Sequence, residues 1–480
     1  MASRRTQRRP PRRGHSLAQR LEGLWPYVAY GLLALIVGLT AYVRLIPYLR
    51  YGPTLSEVDP YEYLWLADYF RSHGPHLVGL ARVTFWWFPW GRDFLATEYL
   101  GLPMLTALFS WLLRTSTEVA LSLSPVAFAV LGVLGSFLAV KAMRGGLLGP
   151  LVAAAGFAFL PILVMDHGFA TDPAKVFDGI ALLPYQVYFL ARSYGTGDPR
   201  RSLAYALASG ASGGVIAWMW GGYQYTALVV ALAAVLEPFL MPPSLPGLYR
   251  LLAAWLGFSA TAITSPAVSP HLFTRGVGLA AEASISLYAL EALVQGRRPC
   301  SVRLHIWGLS VLVGLAVVAL LSGFLSLPSR VVMGLGLQYV GGVVPLTVQE
   351  YMGQPIQAVI AAFAPFFVLT LISLVVLVAG RASGRLRGSP TDVVVLASMA
   401  LTLVFTFASA NQAYYAPSAA LFSLISGSVS VPLLTSLAWP QAPRKRPREE
   451  GRRWGVLVGV GLLSLMALAP VAYYAVIDAQ

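Results

Sequence analysis

Residues 118–142 read EVALSLSPVAFAVLGVLGSFLAVKA. No charged side chain interrupts the run between Glu118 and Lys141, and at 1.5 Å per residue a helix of that length is roughly 33 Å long, enough to cross the hydrocarbon of a bilayer. A helix can do so because it satisfies its own backbone hydrogen bonds where no water is present. Runs of the same kind recur outward in both directions, near 26–47, 146–165, 178–195, 202–219, 222–241, 249–266, 277–295, 303–326, 356–379, 391–409, 413–437 and 455–475. The reading is an all-α polytopic membrane protein with about 13 transmembrane helices. The apolar stretch 97–115 would put the later basic loops on the wrong side if it crossed, so it is expected to be a re-entrant or surface helix.

Composition agrees. The 480 residues are 57% hydrophobic and only 11% charged, against about a quarter charged in soluble domains. The net charge of +14 comes from 34 basic residues, nearly all Arg, set in short clusters between apolar runs. That spacing is topogenic and argues against a groove for nucleic acid. Cys300 is the single cysteine, which excludes a disulfide framework and a thiolate metal cluster. Asn411 is the single Asn and there are three Lys, a thrift in thermolabile amides that fits a hot-living source.

Six Arg before residue 14 are expected to hold a basic tail, 1–25, in the cytoplasm, with 26–47 as a retained first span rather than a cleaved signal. Alternation then assigns Lys141 with Arg144, Arg192 with Arg200 and Arg201, Arg297 with Arg298 and Arg303, Arg381 with Arg385 and Arg387, and the Arg444–Arg453 run to the cytoplasmic side. The opposite, external side receives 48–117 (loop 1, with short helices), 165–177, 220–223 and 327–355 (loop 5). The membrane domain is expected to end near 476, with 477–480 external and no soluble domain following.

The unpaired acids and aromatics concentrate in those external segments. Loop 1 carries Ser56-Glu57-Val58-Asp59-Pro60-Tyr61, in which Asp59 has an ordinary reading as a helix cap ahead of Pro. Trp86-Trp87-Phe88-Pro89-Trp90-Gly91-Arg92 reads equally well as an interfacial aromatic belt. Asp166-His167-Gly168-Phe169-Ala170-Thr171-Asp172-Pro173 puts two acids and a His close together, as metal ligands are, or as a solvated loop would. Trp218-Met219-Trp220-Gly221-Gly222-Tyr223 joins two spans, its glycines permitting a tight reversal. Thr347-Val348-Gln349-Glu350 lies in a Gly-rich stretch ahead of Gln354-Pro355.

Taken together and in this order, the segments resemble the catalytic subunit of oligosaccharyltransferase, called AglB in archaea and PglB in some bacteria. Asp59-Pro60 looks like the opening of that family's first acidic motif, and Trp87 to Arg92 is similar to its Tyr-Pro-x-Gly-Arg segment. Trp218 to Tyr223 resembles its Ala-Trp-Gly-Gly-Tyr turn, and Thr347 to Glu350 its Ser/Thr-x-x-Glu loop. The resemblance implies a GT-C-like membrane domain that moves a glycan from a polyprenyl (pyro)phosphate carrier to the Asn amide of an acceptor sequon. It also implies a bound Mg²⁺ or Mn²⁺. Asp59 and Glu350 would be catalytic; Asp59 and Asp172 would hold the metal, with Asp166 and His167 as further candidates. Trp87, Trp90, Arg92, Trp220, Tyr223, Thr347 and Gln412 would line the substrate.

The chain departs from the family pattern in three places. Asp172-Pro173-Ala174 keeps one ligand of the second acidic motif's two. Where the family has an Arg for the carrier phosphate, this sequence has Asn411-Gln412-Ala413-Tyr414-Tyr415. The family's soluble domain with its Trp-Trp-Asp-Tyr-Gly motif does not follow the last span, so a separate soluble domain or subunit is a possible partner. Two alternatives stay open: another polyprenyl-phosphate-dependent transferase, and a non-catalytic carrier for lipid-linked sugar, which would place polar pairs in broken helices at mid-membrane.

Overall fold

The computed structural model describes residues 17–56, 58–86, 89–165, 168–268, 272–273, 276–295, 302–321 and 354–438. Trp87, Asp166, His167, Thr347, Glu350, most of loop 5 and the run 455–475 lie outside the described residues. The elements are helices: α1 (Leu17–Tyr51), α2 (Asp59–His73), α3 (Phe94–Thr97), α4 (Gly101–Leu112), α5 (Thr117–Arg144), α6 (Leu148–Phe159), α7 (Pro161–Met165), α8 (Lys175–Gly195) and α9 (Pro199–Met219). They continue as α10 (Tyr223–Leu240), α11 (Leu245–Ala262), α12 (Gly276–Gln295), α13 (Val302–Leu321), α14 (Ile356–Ala362), α15 (Ala364–Ala382), α16 (Asp392–Asn411), α17 (Ala416–Ser428) and α18 (Ser430–Ala438). Among the described residues the one β feature is an isolated antiparallel bridge between Val83 and Arg92.

Seven of these stretches are long and apolar enough to cross a membrane, with Gly101–Leu112, Leu148–Phe159 and Leu304–Val318 as shorter apolar helices. The chain is an integral membrane protein. Local chemistry sets the helix ends. In α5 the Ser116 side chain caps the Val119 N–H at 3.2 Å, Glu118 sits in the first turn, and Lys141 and Arg144 sit in the last. Each charge complements the helix dipole. Gly145, at φ +67°, then turns the chain in a conformation that suits a residue without Cβ.

Prolines cut two of the expected spans. The run 146–165 is α6 and α7 with Leu160 extended between them, and 356–379 is α14 and α15 broken at Phe363. Pro161 and Pro365 lack the N–H an unbroken helix would need. The expected surface helix at 97–115 is α4, whose 12 residues rise only about 18 Å, too short for a full crossing.

Helices α9 and α11 meet along small residues. A Cβ on Gly210 would overlap the Ala254 carbonyl, and one on Gly257 the Leu207 carbonyl. Without a hydrophobic force between helices in lipid, such backbone approach supplies the packing.

The loops sort into two ends. At one, Arg144 pairs with Asp392, the Thr391 hydroxyl donates to the Met143 carbonyl at 2.6 Å, and Lys141 donates to the Tyr30 hydroxyl at 2.6 Å. At the other, loop 1 folds around its own small core of Leu66, Phe70, Leu80, Val83, Phe94, Leu100 and Ala107.

Candidate functional site

Asp59 and Asp172 are brought to the same end by a shared post. Buried Ser122, in α5, donates its hydroxyl to the Pro53 carbonyl at 2.8 Å and accepts the Thr171 N–H on its own carbonyl at 2.9 Å. The segments themselves touch: the Ser56 N–H and hydroxyl both donate to the Thr171 carbonyl, at 3.0 and 3.1 Å. Thr171 is held at φ +79°. For a β-branched residue this is a strained conformation, costing about 1–3 kcal/mol, and it persists only where neighbours over-determine it. The strained peptide immediately precedes Asp172.

Asp59 does not act as a helix cap, so the ordinary reading of its Asp-Pro pair does not hold here. α2 begins at Asp59 itself, with Val58 in the cap position and Pro60 in the first turn, and the Asp59 residue is exposed. α8 is entered through Ala174, which offers no side-chain cap, and Asp172 lies two residues before it, half-buried.

A buried chain of charges ties the two segments together one turn further on. Arg92 pairs with Glu62 of α2 and, through Nη2, with Glu98 Oε2 at 3.0 Å, while its Nε donates to the Thr97 hydroxyl at 3.2 Å. Glu98 Oε1 accepts from the Lys175 ammonium and from the Tyr99 N–H at 2.9 Å. That ammonium lies 5.0 Å from the centre of the Tyr63 ring. Burial, together with a proton shared with Glu98, pushes Glu62 up to about 7 against the pull of Arg92. Burial also opposes ionisation of Glu98, but Lys175, the bond from Glu62 and the Tyr99 N–H outweigh it and hold its carboxyl below the usual range. The Tyr63 phenol is driven upward by burial and then by the fields of Glu98, Asp59, Glu62 and Asp178.

The remaining expected residues divide by exposure. Trp90 is 78% exposed, whereas Trp86 packs against Trp65 and Phe94, 6.1 and 5.6 Å between ring centres. Arg92 faces inward to the two glutamates rather than outward. Trp220 is buried, donates to the Tyr414 hydroxyl, and meets Tyr225 edge-on at 5.2 Å. Gly222 has an ordinary φ of −67°. Its lack of Cβ makes room for the Trp220 ring, which a side chain there would overlap, so space rather than turn geometry explains that glycine. Gln412 is buried where α16 gives way to the turn before α17, and Tyr223 opens α10 half-buried.

Four functional candidates were not singled out from sequence: Glu62, Glu98, Asp178 and Arg44. Asp178 is fully buried in the first turn of α8. Arg44, also fully buried, donates to the carbonyls of Gly168 at 3.0 Å, Leu163 at 3.2 Å and Phe157 at 3.4 Å. It thereby satisfies carbonyls in the last turns of α6 and α7, which have no partner within their own helices. A lone charge inside an apolar run is the signal that marks Arg44; Asp178 stands at the edge of its run, three residues after Lys175.

Carboxylates are the donors a hard divalent cation prefers, so Asp59 and Asp172 fit in kind. In number they fall short: no group of three His, Cys, Asp or Glu side chains converges among the described residues.

No family model matches the sequence. In architecture the molecule is a multi-helix membrane domain with the fold of AglB. The archaeal oligosaccharyltransferase AglB from Archaeoglobus fulgidus, in complex with an inhibitory peptide and a dolichol-phosphate, superposes with a TM-score of 0.73 at 16% identity, over 95% of this chain and 56% of that one. A complex of the Archaeoglobus fulgidus oligosaccharyltransferase with zinc and sulfate gives 0.61 at 14% identity, over 93% of this chain and 53% of that one. In sequence, the chain is 26% identical over 205 residues to the dolichyl-diphosphooligosaccharide–protein glycosyltransferase subunit STT3A of Oryza sativa subsp. japonica, 40% of this chain and 24% of the plant protein. The chain thus spans little more than half the length of the archaeal structures.

Proposed function

We propose that this chain is the membrane-embedded part of an oligosaccharyltransferase, transferring a glycan from a polyprenyl (pyro)phosphate carrier to the side-chain amide of a sequon asparagine. The observation that carries the reading is the strained Thr171 peptide, fastened to Ser56 and Ser122, which draws the Asp59 and Asp172 segments together at one end of an AglB-like fold. That end would face the exterior and the Arg-rich end the cytoplasm.

Asp59 and Asp172 would hold Mg²⁺ or Mn²⁺, joined by Asp166 or His167 and by Glu350. Bound there, a divalent cation supplies Lewis-acid neutralisation of charge on the leaving phosphate, an effect of several kcal/mol. The chain's own residues orient the partners. Asp59 and Glu350 would engage the acceptor amide, an otherwise poor nucleophile. Exposed Trp90 would pack on prenyl or sugar at headgroup depth, beside Trp87. Arg92, Trp220, Tyr223, Thr347 and Gln412 would shape the ground around them.

A carrier without chemistry fits less well on its charges, because it is expected to hold charged pairs at mid-membrane, where the described spans bring together uncharged Thr370, Thr402 and Ser426. Among the described residues the buried acids of the spans sit near helix ends: Asp178 and Asp392 in first turns, Glu237 and Glu291 within about a turn of the ends of α10 and α12.

The test incubates the purified chain with lipid-linked glycan, Mn²⁺ and a sequon peptide, alone and with a soluble acceptor-reading domain supplied in trans. Glycopeptide in either arm supports the reading; none in both overturns it. Asp59→Ala is expected to abolish transfer and Trp90→Ala only to weaken it, and equal losses would remove Asp59 from the metal assignment.

A further inference from the structure

Asp59 and Asp172 stand on separate segments, and a pair of carboxylates serves one cation only when its spacing is fixed from outside. Four side chains span the interval between those segments. Glu62 lies on α2, three residues after Asp59, and so on the same helical face. Lys175 lies three residues after Asp172, at the start of α8. Arg92 and Glu98 come from the turn between them in space and alternate with them in charge, so that the sequence of contacts is Glu62, Arg92, Glu98, Lys175.

Glu98 is the member on which the tie depends. Its two oxygens point to different segments: Oε2 to Arg92, which in turn holds α2, and Oε1 to Lys175 at the head of α8. It is 4% exposed, and the Tyr99 N–H fixes the second oxygen in place. Both bases are spent on the two acids rather than left for a ligand. Such a network is poorly suited to attract a substrate, and buried ion pairs are a costly way to gain stability when apolar side chains would serve. Their value lies in fixing one geometry.

We propose that Glu98 is a positioning residue that sets the spacing of the Asp59 and Asp172 segments, and through them the affinity of the paired aspartates for a divalent cation; the cation part rests on the functional reading above. Replacing Glu98 by Gln removes the charge and keeps the shape. Arg92 keeps Glu62, Lys175 loses its anion, and the link by which α8 is held to α2 is cut.

The experiment uses the full chain in detergent with Cys300→Ala, and reads two quantities. The first is the distance between spin labels on Val58→Cys and Phe169→Cys; the second, on unlabelled protein, is Mn²⁺ binding followed by the loss of the free-ion resonance. Glu98→Gln is expected to lengthen and broaden the label distance and to weaken Mn²⁺ binding about ten- to a hundredfold, the range seen when groups behind metal ligands are removed. Glu98→Gln with Lys175→Met removes the stranded cation, so thermal stability should recover while Mn²⁺ binding stays weak. That double variant also decides the matter if the single one fails to fold. A folded Glu98 variant whose label distances match the parent overturns the proposal, whatever its cation affinity. If the parent chain binds no Mn²⁺, the transfer-site reading falls, and the label distances still judge Glu98.

Discussion

The two ends of the bundle both carry exposed cations and differ in how their inward charges are joined: at the Arg-rich end Arg144 and Arg381 meet the single buried carboxylate of Asp392, while at the Asp59 end acids and bases alternate in a chain. At the Arg-rich end most cations look outward: Arg201 stands 76% exposed beside Asp198, and Arg192 donates to the exposed Tyr205 hydroxyl at 3.3 Å. At the Asp59 end Arg71, Arg82 and Arg114 are exposed as well, but Arg92 and Lys175 are turned in and form a chain with Glu62 and Glu98. Outward charge carries topology, because it needs only to stay out of lipid. Inward charge carries geometry, because each group has to meet a partner at a fixed place.

Three measurements sharpen or break this contrast. The largest effect is expected from Arg92→Met, which leaves two buried carboxylates facing each other; removing one partner from a buried charge network costs about 3–5 kcal/mol, read as a lowered unfolding midpoint in detergent. A loss below about 1 kcal/mol would place the network in water. Next, Glu62 should make stability depend on pH. Its folded value of about 7 lies above the ordinary 4.5, so between those limits the folded chain binds more protons than the unfolded one. Stability should therefore be full below about 4.5, fall as pH rises to 7, and level off above it. Glu62→Gln should flatten that stretch of the curve, and an unchanged slope would assign the proton elsewhere. The smallest effect belongs to Arg201→Ala at the other end, within about 0.5 kcal/mol in the same unfolding assay, as is usual for an exposed pair.

How far the sequence could be read follows from the range of the forces involved. The helix 117–144 was legible because its apolar run, its terminal charges and its closing Gly145 are all local. The breaks at Leu160 and Phe363 were marked by Pro161 and Pro365 but overridden by the length of the apolar runs around them. In the site, Asp59 and Asp172 stood out through their motifs. Glu62 and Glu98 did not, for in sequence they are plain acids in a polar loop. Their partners lie 30, 6 and 77 residues away, and no local pattern encodes such pairings. The capping role read into Asp59-Pro60 failed for the converse reason: a local rule was applied where the helix starts one residue earlier than the rule assumes.

Arg44 carries a consequence for how the molecule is assembled. Its three acceptor carbonyls come 113, 119 and 124 residues later in the chain, and hydrocarbon offers a guanidinium nothing in their place. When the first helix leaves the ribosome, only water or lipid headgroups can satisfy that side chain, so this part of α1 has to wait near the bilayer surface. It can settle only after residues 157–168 have been made and threaded. One arginine thus makes α1 a latch that α6, α7 and the segment after them close.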